Sequence, residues 1–173
     1  MAAAQTYTPI ATTTFASTAT SYTFSSIPTT YTDLILVVRP AQGSPSGSSP
    51  LIQVGNGSVD TGSNYSYTSL RGNGTSATSI RDTNITNLPE PLTGMSSTLG
   101  EYQIIYQFMN YANTNTYKTI LFRLGSLNAT YPGTVATVGL FRSTSAINTI
   151  KFFVSGTAMS IGTTLTLYGI TAA

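Results

Sequence analysis

The chain has no cysteine, no histidine and no tryptophan in 173 residues. Without thiols no disulfide staples the fold, and the redox compartment is left open. Without histidine or cysteine, the usual zinc sites and nucleophilic catalysis built on those side chains are excluded. Charge is scarce too: 7% of residues are charged, against about 25% in an ordinary soluble domain. A solvated monomer normally carries more, because charge limits association. A surface of hydroxyls and amides points instead to a chain that buries part of itself in an assembly.

The seven basic residues, Arg39, Arg71, Arg81, Lys118, Arg123, Arg142 and Lys151, are scattered along the chain. Phosphate neutralisation needs them clustered, so nucleic acid is not an expected partner. The longest apolar run, residues 34–38, falls far short of the roughly 18 residues of a membrane span. The first residues, MAAAQTYTPIATTT, lack a basic start and an apolar stretch, so neither a secretory signal nor membrane insertion is expected.

Few acids remain for chemistry. Asp33, Asp60, Asp82, Glu90 and Glu101 are all the carboxylates there are, and a glycosidase would need two of them within about 5 to 10 Å. Asp33 and Asp60 read better as turn caps. No nucleophile elbow and no phosphate-binding loop is present. The loop 55–64, with Asn56, Asp60 and Asn64, has the wrong spacing and too few carboxylates for a calcium site. No catalytic, cofactor or metal residue is assigned, and the chain is expected not to be an enzyme.

What is abundant is Thr, Ser, Gly, Asn and Tyr, in short alternating runs. In 146–170, Ile150, Phe152 and Val154 share one strand face; after Gly156 and Gly162, Leu165, Leu167 and Gly169 share another. Two such faces joined by a glycine-bearing loop predict an antiparallel pair at the heart of a sandwich. Residues 34–38 differ in kind: Leu34, Leu36 and Val38 face one way, Ile35 and Val37 the other, so the strand is apolar on both sides. Its second face would be covered by another part of the chain or by another subunit, and the subunit is preferred. Residues 99–111 fit helical spacing at Ile104, Ile105, Phe108 and Met109, but also alternate at Tyr102, Ile104, Tyr106 and Phe108; a strand is predicted. One short strand is expected near 77–81.

Nine to eleven short strands between turn signals indicate an all-β protein: an antiparallel β-sandwich, jelly-roll-like. Residues 1–14 are read as an N-terminal arm or edge strand, since Pro9 removes a ladder donor. Residues 15–173 form the sandwich domain. The candidate interface residues are Tyr7, Pro9 and Ile10 in the arm, Ile35 and Val37 on the two-sided strand, and Tyr65, Tyr67, Tyr102 and Tyr106. Tyrosine in such runs serves as an interface anchor, a platform for sugars or ordinary strand filling.

SYTFSSIPTTYTDLILVVRP at 21–40, NYS at 64–66, YKTILFR at 117–123, INTIKFFV at 147–154 and GTTLTLYGI at 162–170 resemble small virion proteins and fibre modules of tailed bacteriophages, cyanophages especially. The segments SSIPTTYTDL and LYGI carry the resemblance best. It implies a non-enzymatic β-sandwich in the virion that assembles as a homo-oligomer, a trimer by expectation. The preferred placement is a capsid decoration (cement) protein bridging major capsid subunits. The alternative is a tail-fibre or spike component that binds a host surface glycan through loops 40–50 and 55–64.

Overall fold

The computed structural model describes residues 6–41, 49–89, 102–127, 132–156 and 158–171. Among these, no helix occurs and thirteen strands follow one another. The first five are β1 (Tyr7–Thr14), β2 (Ser21–Phe24), β3 (Asp33–Arg39), β4 (Ser49–Asn56) and β5 (Ser58–Val59). Then come β6 (Tyr65–Gly72), β7 (Ala77–Ile85), β8 (Leu88–Pro89) and β9 (Tyr102–Met109). The chain closes with β10 (Lys118–Leu127), β11 (Pro132–Phe141), β12 (Thr149–Ser155) and β13 (Thr164–Ile170).

Eight strands form a large sheet in the order β1-β13-β3-β9-β10-β11-β6-β7, and the small sheet runs β2-β12-β4-β5 with β8 also on β4. Every pairing between them is antiparallel. The sheets pack face to face as an antiparallel β-sandwich, the predicted class. The finer expectation of a jelly-roll order is not established by this arrangement, in which β9-β10-β11 run as a plain meander.

Period-two alternation sets the core. Leu34, Leu36 and Val38 of β3, Ile104, Tyr106 and Phe108 of β9, and Ile120, Phe122 and Leu124 of β10 are all buried on the inner face. Ile52, Val54, Ile150 and Phe152 meet them from the small sheet. Two glycines make room in this layer. A Cβ on Gly169 would meet the Tyr31 ring at 2.3 to 2.5 Å, and one on Gly139 would meet Leu88 Cδ1 at 2.5 Å.

The 146–170 stretch is not a hairpin. Its strands β12 and β13 belong to opposite sheets, β12 between β2 and β4 and β13 between β1 and β3. Their apolar faces meet across the core instead of lying side by side. The connecting segment is held by Met159, whose N–H donates to Ala19 O at 2.8 Å. The expected central place holds, since neither strand is on a rim. Periodicity says which side of a strand is apolar; it does not say which strand is its neighbour.

The segment 99–111 contains the strand β9, as predicted. Where one short strand was expected near 77–81, β7 runs for nine residues. The N-terminal stretch is an edge strand of this chain's own sheet: β1 pairs β13, with a bulge between Pro9 and Ala11. Proline has no N–H to give, so an edge position with a bulge is where it fits.

Candidate functional site

The outer face of the large sheet is built by the same register that builds the core. One cross-strand row runs Ile35, Gln107, Leu121, Val138 and Thr68 over β3, β9, β10, β11 and β6. The adjacent row runs Val37, Ile105, Arg123, Ala136 and Leu70 over the same strands. Five strands at about 4.8 Å spacing give the band a length of about 19 Å. Most of its members are aliphatic, and they lie on the side away from the small sheet. Leu70 is 63% exposed and Val138 52%; Ile35, Val37, Ile105 and Leu121 are half-buried by their neighbours. The band holds a hollow of about 380 Å³. A second hollow of about 320 Å³ adjoins it over Gln103, Gly125 and Thr134, sharing Ile105 and Arg123. Gly125 helps to open it, since a Cβ there would meet nothing within 4 Å.

Arg39, Arg81 and Arg123 point out of this face by register, and Asp33 is the one described carboxylate on it. Asp33 is engaged: Asn110 N–H donates to Oδ1 at 2.7 Å and Gln107 Nε2 to Oδ2 at 3.2 Å. It therefore ties the end of β9 to the start of β3. Asp60 likewise closes its own turn, accepting from Gly62 N–H at 2.7 Å and Asn64 Nδ2 at 2.9 Å. Asp82 accepts from Thr83 N–H at 2.7 Å. Glu90 and Glu101 lie outside the described residues. Among the described residues no cluster of three or more acids is placed to hold a metal ion.

The candidate interface residues divide. Ile35 and Val37 sit at one end of the outer band. Tyr7, 53% exposed, stands on the edge strand and meets the Tyr168 ring edge-on at 6.3 Å. Pro9 is exposed beside it, whereas Ile10 packs against the core. Tyr65 and Tyr106 are fully buried and belong to the core; they are not surface anchors. Tyr67 is half-buried against the same core. The Tyr102 side chain lies outside the described residues.

The core tyrosines are there for physical reasons. Tyr65 stacks on Phe141 with ring centroids 4.9 Å apart. Its hydroxyl accepts from Val54 N–H at 3.1 Å, with Val54 O and Asp60 O at 3.0 and 2.9 Å as acceptors for its single proton. A satisfied hydroxyl lets a tyrosine lie in a core, and this one joins the large sheet to the small. Burial pushes its ionisation well above the ordinary tyrosine range; the Val54 hydrogen bond pulls back and Asp60 adds to the rise. Burial also raises Tyr111, whose hydroxyl donates to Pro28 O. Lys118, 1% exposed, donates from Nζ to Thr116 O at 2.7 Å and Thr144 O at 3.1 Å. Burial lowers its ammonium pKa.

The residues of the band beyond Ile35 and Val37 were not singled out from the sequence. The signal was present in each strand, because Ile105, Leu121 and Leu70 alternate with core residues and are themselves aliphatic. Their convergence depends on strand neighbours that no local pattern names. Compared with protein-family models, curated proteins and solved structures, the chain matches none.

Proposed function

We propose that this chain is non-enzymatic building material: a virion protein of a tailed phage that decorates the capsid and bridges neighbouring major capsid subunits. The observation carrying the reading is the exposed aliphatic band on the large sheet, on a chain with 7% charged residues. Contiguous exposed apolar surface marks interaction sites in soluble proteins. A cement protein works through contact area, and a stable contact covers more than about 1,000 Å². A wide sheet face offers such area without needing a loop to order. The setting in a virion, and assembly as a homotrimer, rest on the resemblance of segments such as 25–34 and 167–170 to phage virion proteins.

A tail-fibre role in binding host glycan has less support. Residues 42–48 of the first expected loop lie outside the described residues. In the second loop, Asp60 and Asn64 bond to each other, and the exposed Asn56 accepts from Asn148 Nδ2, so these side chains are already engaged within the chain. Mixing the purified protein with isolated capsid shells, host cells and host-surface glycans tests the choice. Binding to shells alone, lost in Leu70→Asp and Val138→Asp, is the expected outcome. Binding to cells or glycans alone assigns the fibre role, and substrate turnover overturns the non-enzymatic reading.

A further inference from the structure

We propose that the outer band of the large sheet seats an extended segment of a different polypeptide, one that carries a carboxylate between aliphatic side chains, with Arg123 as its anchor. This rests on the docking role given to the band above and names what docks there. Arg123 lies on β10, the middle strand of the five, beside Ile105 and Ala136 in register. Its guanidinium makes no hydrogen bond or ion pair with the other described residues, while its backbone belongs to the ladders on either side. Covering an aliphatic surface around a guanidinium takes that charge out of water, which is costly unless the occupant supplies an acceptor. A carboxylate is the acceptor that fits a guanidinium best, through two parallel hydrogen bonds.

The occupant is not a second copy. Face-to-face stacking of two copies about a two-fold centred on the band brings Arg123 toward Arg123, with Arg39 and Arg81 on the same face. Nor do the described carboxylates of this chain offer themselves as the missing acceptor: Asp33 is held by Asn110 N–H and Gln107 Nε2, Asp60 closes its own turn, and Asp82 stands by register on the other side of β7. The shape of the face agrees with an extended segment. The aliphatic hollow continues past Arg123 into the more polar hollow over Gln103, Gly125 and Thr134. A strand lying along β10 would place aliphatic side chains in the first, its carboxylate at Arg123 and polar groups in the second.

Two synthetic ten-residue peptides test this, identical alternating Val/Thr sequences with either one Asp or one Lys at the centre. They are titrated into the full chain while the methyl signals of Ile105, Leu121, Leu70 and Val138 are followed by NMR. The Asp peptide is expected to shift these methyls, and Arg123→Gln to weaken its binding about tenfold or more. Equal binding of the Lys peptide, shifts outside the band, or no binding of the Asp peptide overturns the proposal. So does tighter binding of decanoate, which would make the site one for a small amphiphile. Concentration-dependent self-association abolished by Leu70→Asp would hand the face to a second copy, again overturning it. Capsid-shell binding separates the two levels: loss in Leu70→Asp but full retention in Arg123→Gln sinks this inference alone. Retention in both sinks the docking role itself.

Discussion

On β3, Leu34, Leu36 and Val38 have no exposed surface, while Ile35 and Val37 face away from the small sheet and keep part of theirs. The same contrast holds on β10, where Ile120 and Phe122 are buried and Leu121 lies half-covered beside Arg123. The residue types barely differ between the two faces. What differs is the opposite wall: one face has a second sheet against it, and the other has nothing among the described residues. Full burial of an aliphatic side chain stabilises by about 1.5 to 3 kcal/mol, and the folded monomer gains only part of that on the outer face. The inner face therefore holds the fold together, and the outer face keeps aliphatic surface that the proposed docking role would cover.

That contrast can be broken most forcefully from the inside. Phe108→Ala and Phe152→Ala remove buried rings and are expected to cost about 3 to 5 kcal/mol, read by chemical denaturation. Small losses in both would mean that the two faces are not energetically distinct. Gly169→Ala, which pushes a methyl into the Tyr31 ring, is expected to cost about 1 to 3 kcal/mol by overpacking. An unchanged unfolding midpoint would show that Tyr31 moves aside freely.

Alkaline titration probes the inner face through its ionisable groups. Tyr65 and Tyr111 are raised by burial, so the unfolded chain sheds their protons first. Stability should fall above about pH 10, by up to about 1.4 kcal/mol per pH unit for each tyrosine. Lys118 is lowered by burial, and its sign is opposite. Between its depressed pKa and the ordinary lysine value the unfolded chain holds the extra proton, so stability rises with pH. Urea denaturation from pH 8 to 11 should show that rise in the wild type and not in Lys118→Met. A monotonic fall in both would remove the buried ammonium from the account.

The smallest effect belongs to the outer face. Leu70→Lys and Val138→Lys are expected to change stability by no more than about 0.5 kcal/mol while reducing binding to capsid shells. A loss of several kcal/mol would show the outer band to be structural.

Much of the inner face was legible in the sequence. Alternation in 117–124 puts Lys118 with Ile120, Phe122 and Leu124, and Lys118 does lie on that face, its charge met by two carbonyls. The two-sided character of β3 was visible in five consecutive aliphatic residues. The partner of β12 was not legible, because a hairpin and a crossover between sheets leave the same alternation and the same glycines in the loop. The tyrosines misled for a related reason: a phenol suits an interface or a satisfied core equally well. Only the proximity of Val54 and Asp60, brought by the fold, decides for the core at Tyr65. The outer band stayed hidden because it is assembled from five strands drawn from across the chain.

Under the proposed function, the outer face of the large sheet is covered in the virion and open in the free chain. Hydroxyl-radical footprinting of Leu70, Leu121 and Val138, on the purified protein and on intact particles, measures this directly. Strong protection of these three side chains in the particle and ready oxidation in the free chain are expected. Equal oxidation in both would contradict the proposed function.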